Sequence, residues 1–323
     1  MPIFSIGITT FDRRAMLIEA INSVLQQTYA DFEVIISNDN PARKITADSL
    51  KIWDTRVRII NQEKNLGEFN NMNYLLNESK GEYFTWLADD DLYNNYFLET
   101  AHNILKKHNW PQCFYTSFGY VGNEDITAKH DLGELSLPGP EFLNKYLGRQ
   151  LKAIGVMGIF KREALINLGG LEDVSGDGKG FYCEYMLLIK ASKFPVVQYV
   201  NAPLVLYRHH ADAWGVKSTD VAMFYRAAKS LNKISVAVLL EDNYKTGFYK
   251  NYYAILKLIT GDCVSAMRRK KILSLRSFVV YLYETRKYLS SLKGWACFKG
   301  TLAWLKAIIR LFLRESWYII KGY

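Results

Sequence analysis

The feature that most restricts how this chain can fold is the stretch Tyr83-Phe84-Thr85-Trp86-Leu87-Ala88, which runs straight into Asp89-Asp90-Asp91. A nearly unbroken apolar and aromatic run of strand length reads as a strand covered on both faces. Such a strand belongs in the middle of a sheet, and its charged end marks the edge where the sheet meets solvent or ligand. Three like charges at one strand end repel each other unless a cation neutralises them. The triplet therefore reads either as a solvated acidic turn or as a site for Mg²⁺ or Mn²⁺, ions held by one or two carboxylates together with substrate phosphates.

The same grammar recurs upstream. Residues 3–8 form an apolar run followed by Thr9-Thr10-Phe11-Asp12-Arg13-Arg14, and residues 16–25 have helical apolar spacing. Residues 32–37 form a second strand ending at Asn38-Asp39-Asn40-Pro41, residues 57–60 a third, and residues 70–77 a helix. Strands alternating with helices predict an α/β fold with a largely parallel sheet. Ligands of such sheets bind beyond the carboxyl ends of the strands, and Thr9, Asp39 and Asp89 to Asp91 all fall there. Downstream, residues 101–108 are helical and 112–120 strand-like, whereas 123–141, with Gly133, Pro138, Gly139 and Pro140, read as a loop or flap. The glycine-rich residues 175–180 precede a helix over 181–192 with Glu184 near its start. A strand over 196–207 leads into Arg208-His209-His210, and beyond about residue 216 the pattern is helical.

Four segments in this order carry a resemblance. Phe4-Ser5-Ile6-Gly7-Ile8-Thr9-Thr10-Phe11-Asp12-Arg13 comes first, then Ser23-Val24-Leu25-Gln26-Gln27-Thr28-Tyr29 with Phe32 to Ile36. Asn65-Leu66-Gly67 with Asn71 and Asn73, running on to Leu87-Ala88-Asp89-Asp90-Asp91, is the third, and Pro203 to His210 the fourth. Together they resemble the family 2 glycosyltransferases over roughly residues 3–214. The resemblance implies a GT-A fold (a Rossmann-like nucleotide-diphospho-sugar transferase domain) over residues 1–215, with a basic, aromatic-rich helical region over 216–323. It also implies transfer with inversion from a nucleotide-sugar, UDP- or dTDP-linked, in bacterial O-antigen or capsule-type polysaccharide synthesis. Two positions depart from the family: Asn38 stands where the first of two aspartates is common, and Glu184 where the acceptor-side helix often carries Asp.

Asp39 can accept a hydrogen bond from a base N–H or a ribose hydroxyl, or simply shape a turn. Thr9, Phe11, Arg13 and Asn71 would line the same nucleotide pocket, with Asp89 and Asp90 beside the ribose. Asp91 is the first choice for the metal, with Asp89 and His210 as further ligands. Arg208 would neutralise phosphate or form an ordinary ion pair. For deprotonating the acceptor hydroxyl, Glu184 leads, with Asp177 and Asp173 behind it; an acid in a helix first turn has a purely structural reading as well. A catalytically silent nucleotide-sugar-binding scaffold subunit of a membrane glycan-assembly complex stays open. A nucleotidyltransferase would want a Gly-rich loop with a following Lys, which the first strand lacks.

Composition narrows the setting. At 49% hydrophobic and 23% charged residues the chain is globular. Four cysteines far apart, with no CxxC pair, predict reduced thiols rather than a disulfide framework or zinc site. Neither a secretion signal nor an apolar run of ~18 residues is evident, which predicts a cytoplasmic location. From Lys217 onward there are 20 Lys and Arg against 6 Asp and Glu, a net +14, while the preceding part carries 21 against 26, a net −5. Near the end, Lys306, Arg310 and Arg314 recur every four residues, with Lys321 a heptad further on, among Trp304, Ile308, Leu311, Phe312 and Ile319. A basic helix edge beside bulky apolar faces predicts peripheral attachment to an anionic membrane, helped by Arg268 to Lys271. The same helix read as a packing element would serve a homo-oligomer. No nucleic-acid-binding module is recognised.

Overall fold

The computed structural model describes residues 1–122, 133–174, 181–209 and 220–321. They divide into two compact units. Of the described residues, the first takes in 1–122, 133–142, 151–173 and 181–209, and the second 143–150, 174 and 220–321.

The first unit is built on one mixed sheet. Its strands are β1 (Phe4–Thr10), β2 (Phe32–Asn38), β3 (Val57–Asn61), β4 (Tyr83–Ala88), β5 (Leu92–Tyr93), β6 (Cys113–Tyr120), β7 (Glu134–Pro138), β8 (Ile159–Lys161) and β9 (Val196–Tyr207). The order is β3-β2-β1-β4-β8-β6-β9-β5, with β7 also on β9. Strands β3, β2, β1 and β4 are mutually parallel. Short β8 then runs antiparallel between β4 and β6, and β6 returns to parallel pairing with β9. Strand β9 is long enough to take β7 along its first half and β5 at its far end, both antiparallel. The sheet thus has a parallel half and a mixed half, rather than parallel strands nearly throughout.

Helices α1 (Arg14–Leu25), α2 (Ala47–Leu50), α3 (Glu68–Glu78), α4 (Phe97–Lys107), α5 (Gly139–Leu147), α6 (Arg162–Asn167) and α7 (Cys183–Ala191) connect the strands. Helix α1 buries Leu17, Ala20, Ile21 and Val24, the spacing of a single helix face. Strand β1 is buried along its whole length, and β4 over all but its last residue. Each fully buried Ile or Phe in these strands contributes roughly 1.5–3 kcal/mol. Trp86 lies edge-on to Phe84 and donates its indole N–H to the Met72 carbonyl at 2.9 Å, so its one polar group is satisfied in the core.

Part of the stretch expected as a loop or flap is regular. Over residues 134–141 it forms β7 and the start of α5. Leu135 and Leu137 pair with Tyr199 and Val197. Pro140 sits in the first turn of α5, where a missing N–H has no cost. The rest of that stretch lies outside the described residues.

The second unit is helical: α8 (Val221–Leu239), α9 (Phe248–Arg269), α10 (Leu275–Arg286) and α11 (Gly294–Lys321). Asp220 caps α8 by accepting from the Met223 N–H, and Ser274 with Ser277 forms a capping box on α10. Buried Glu315 of α11 is held by Arg268 of α9 and by Arg314. The faces of α11 differ from expectation. Ile308, Leu311 and Ile319 point into the bundle, and Trp304 donates its indole N–H to the Thr285 hydroxyl. A second apolar stripe, including Leu305, Ile309 and Leu313, faces outward instead. The helix is apolar nearly all round, and tertiary packing chose the inner side. Among the described residues no helix is long and apolar enough to cross a membrane.

Candidate active site

Register brings the polar strand ends level. Thr9 lies between Ser37 and Ala88, and Thr10 beside Asn38, so the ends of β2 and β4 flank the end of β1. Side chains alternate along a strand, and the two threonines part accordingly. Thr10 Oγ1 donates to Asp89 Oδ2 at 2.7 Å, while Thr9 Oγ1 donates to Glu68 Oε1 at 2.8 Å. Arg13, just before α1, reaches Asp89 at 3.0 Å and Asp90 at 2.6 Å.

The β2 end is a hydrogen-bonded pocket wall. Asp39 accepts from the backbone N–H groups of Leu66 and Gly67 at 2.7 and 2.9 Å. Burial pushes its carboxyl up, and those two N–H groups oppose the shift. Gly67, whose N–H meets Asp39, holds φ +80°, a setting that favours glycine. Asn38 donates to the Arg43 carbonyl at 2.8 Å and to Asn61 Oδ1 at 2.9 Å. A carboxylate cannot donate, which gives a local reason for Asn at this place. Asn71 is committed to Ser37: it accepts from the Ser37 hydroxyl at 2.5 Å and donates to the Ser37 carbonyl at 3.1 Å. Phe11, just beyond β1, is exposed.

The acidic triplet splits in two. Asp89 is turned to Thr10 and Arg13, so a cation already answers its charge. Asp91 is buried and accepts at 2.7 Å from the backbone N–H of Arg208, the first residue after β9. Burial first, then the charges of Asp90 and Glu184, push its carboxyl up to about 8 against the pull of that N–H. Arg208 also donates through Nε to the Asp90 carbonyl at 2.9 Å and pairs with Glu19, which fixes the triplet turn. Its guanidinium is therefore engaged by both groups.

Across from Asp91, Glu184 occupies the first turn of α7. Its Oε2 accepts from the Gly155 N–H at 2.9 Å, and the Val156 backbone contributes a second hydrogen bond. Burial raises this carboxyl to about 7 in spite of both. The approach needs glycine, because a Cβ at residue 155 would lie 2.2 Å from the Glu184 carbonyl oxygen. Tyr115 steadies the turn by donating to the Gly155 carbonyl at 3.1 Å.

His210 and Asp177 lie outside the described residues, and Asp173 sits at the edge of the segment preceding them. Among the described residues no three His, Cys, Asp or Glu side chains are grouped to hold a metal. Asp91 nevertheless fits a hard divalent cation, since it is a buried oxygen donor with the charges of Asp90 and Glu184 acting on it. Glu68 and Gly155 were not foreseen. Glu68 reads locally as an ordinary first-turn acid, and Gly155 lies in an apolar run whose neighbours give no hint of Glu184.

Comparison with known proteins agrees with this architecture. The model of the family described as "Glycosyl transferase family 2" matches residues 5–169. An uncharacterized glycosyltransferase of Rickettsia typhi is 36% identical over 106 residues, 33% of each chain. The GalNAc(5)-diNAcBac-PP-undecaprenol beta-1,3-glucosyltransferase of Campylobacter jejuni is 36% identical over 94 residues, 28% of this chain and 30% of that protein. The chain thus spans about a third of the length of these two relatives. The fold is similar to that of S. aureus TarS 1-349 in complex with UDP-GlcNAc, with a TM-score of 0.54 at 13% identity over 97% of this chain and 92% of that one.

Proposed function

The chain belongs to glycosyl transferase family 2, and from that premise we propose that it is an inverting, metal-dependent glycosyltransferase. Its donor is a nucleotide-sugar, UDP- or dTDP-linked, and its acceptor a hydroxyl of a glycan or lipid-linked glycan in bacterial polysaccharide synthesis. The single observation that carries the reading is that Asp91, just beyond β4, and Glu184, in the first turn of α7, are two carboxyls of raised pKa, with the charge of Glu184 acting on Asp91. The name of the Campylobacter relative, with its undecaprenyl diphosphate acceptor, supports the lipid-linked part.

On this reading the β1 and β2 ends receive the nucleotide. Asp39 keeps lone pairs for a base N–H or ribose hydroxyl beyond its two backbone bonds. Thr9, Phe11 and Arg13 border the same pocket, and Asp89 and Asp90 lie beside the ribose. Mn²⁺ or Mg²⁺ would be held first by Asp91, with Asp89 and His210 as further candidates. A bound divalent cation supplies Lewis-acid stabilisation of the charge that builds on the departing diphosphate. Glu184 takes the proton of the acceptor hydroxyl. That oxygen bonds to the anomeric carbon as the bond from carbon to diphosphate oxygen breaks, and the nucleoside diphosphate leaves from the opposite face. A carboxyl raised to about 7 is a competent base near neutral pH. The enzyme works peripherally, at the cytoplasmic face of the plasma membrane, where lipid-linked acceptors reside.

The test is transfer with a nucleotide-sugar, Mn²⁺ and a lipid-linked acceptor. Glu184→Gln should lower kcat by roughly 10²–10⁴ with donor affinity retained, and the wild-type product should show the inverted anomer by NMR. A retained anomer, or full activity in Glu184→Gln, contradicts the proposal. Donor binding without turnover in wild type would favour the scaffold reading.

A further inference from the structure

Helix α11 shows two apolar stripes, and only one is used by the fold. Phe298, Leu302, Leu305, Ile309 and Leu313 recur at three- and four-residue steps along the outward side, with Ile320 a heptad beyond Leu313. Phe298 and Leu313 are 69% and 71% exposed, values far from those of packed residues. At 1.5 Å per residue a helix of this length runs roughly 40 Å. Helix α10 adds Leu275, Val279 and Tyr283 on its own outer side. A contiguous exposed apolar band of this extent marks an interaction surface.

The chemistry of its borders says what the partner is. On one flank Lys306, Arg310 and Arg314 follow the stripe at four-residue intervals, all exposed. Along the other flank, between α10 and α11, lies a cavity of about 480 Å³. Arg286, Lys287, Tyr283, Ser290, Thr301 and Trp304 are among its lining residues. Thr301 stands three residues from Phe298 and four from Leu305, so this cavity adjoins the stripe directly. Lys287 is paired with Glu284 at 2.8 Å, so this flank is net cationic through Arg286, while the other carries Lys306 and Arg310. The only acid in α11, Glu315, is buried in the bundle. A second copy of the chain, meeting this one through the same patch, would oppose cation to cation. A surface of anionic headgroups over hydrocarbon satisfies both the band and its borders.

We propose that the outer face of α10 and α11 is a membrane-docking surface for a bilayer carrying anionic lipid. The stripe enters the interface, the cation row meets headgroup phosphates, and the cavity edged by Arg286 and Lys287 takes one such phosphate. The proposal rests on the peripheral-membrane reading above and adds the face that makes contact. It also replaces the apolar residues expected from the pattern, since Ile308, Leu311 and Ile319 serve the core.

Flotation of the full chain is measured with vesicles of phosphatidylcholine alone and of equal parts phosphatidylcholine and phosphatidylglycerol, at low and high salt. Wild type should float with the anionic vesicles and lose affinity as salt rises. Ile309→Asp with Leu313→Asp, shown folded by circular dichroism, should bind at least tenfold more weakly. Arg286→Ala with Lys287→Ala should reduce the preference for phosphatidylglycerol several-fold. Undiminished flotation of the stripe variant overturns the proposal while leaving membrane attachment intact. No flotation of wild type overturns both, and transfer to a soluble acceptor then judges the catalytic reading separately. A wild-type dimer that the stripe variant makes monomeric, without vesicle binding, assigns the face to a second copy.

Discussion

At the scale of single residues, the site is held by hydrogen bonds between segments far apart in sequence. Asn38 illustrates this. As a bare letter it is a departure from the paired aspartates common in the family. In place, its amide donates to the Arg43 carbonyl and to Asn61. Asn38→Asp would remove both donors and set a buried carboxylate against carbonyl oxygens. It should destabilise the chain by about 1–3 kcal/mol, measured by urea unfolding; an unchanged midpoint would deny the network its role. The charge at Asp91 and Glu184 makes a second prediction. Both carboxyls titrate higher when folded, near 8 and 7, than when unfolded. Their contribution to stability is therefore complete below about pH 4 and is lost as pH rises through those folded values. With chelator present, Tm should fall by several degrees between about pH 6 and pH 8.5, and Mn²⁺ should restore much of the loss. A Tm that rises with pH and ignores Mn²⁺ would contradict the assignment. Asp39, Asp91 and Glu184 were legible as candidates because they sit at strand or helix ends. The division of labour between Asp89 and Asp91 was not. It depends on Arg13, 76 residues away from Asp89, and on Arg208, 117 residues from Asp91.

Among the elements, legibility followed length and burial. Strands β1, β2 and β4 announce themselves as apolar runs, because parallel strands covered on both faces need apolar residues at nearly every position. Strands β5 and β8, of two and three residues, are too short to carry a period. Yet β8 joins the two halves of the sheet, and its antiparallel insertion is decided by contacts with β4 and β6. Helix α11 was recognisable as a helix, but with two apolar stripes its sequence does not say which one faces the bundle. Neighbouring isoleucines expose that choice. Ile308 is buried and Ile309 is 58% exposed. Ile308→Asp would bury an unpaired charge and should cost more than about 3 kcal/mol, whereas Ile309→Asp should stay within about 0.5 kcal/mol. Thermal unfolding of the two variants decides the matter, and similar losses would mean that the helix is rotated.

Across the whole molecule, charge and chemistry divide along the chain. The acidic N-terminal part carries the carboxylate edge, and the last third carries a net +14. Each of the two compact units has buried apolar residues of its own, so the acidic strand edge and the basic helical region can be altered separately. The pattern of strands, the acidic strand end and the basic end of the chain were all readable in advance. The mixed half of the sheet and the glycine turn that positions Glu184 arise only from tertiary packing. What matters most is whether the Asp91 carboxylate, buried among negative groups, completes a donor site that requires a divalent cation. The direct measurement is calorimetric titration of wild type and Asp91→Asn with UDP- and dTDP-sugars, with and without Mn²⁺. Donor binding that appears only with Mn²⁺ in wild type, and is at least tenfold weaker in Asp91→Asn, is the predicted result. Equal affinity in both proteins, independent of Mn²⁺, would contradict it.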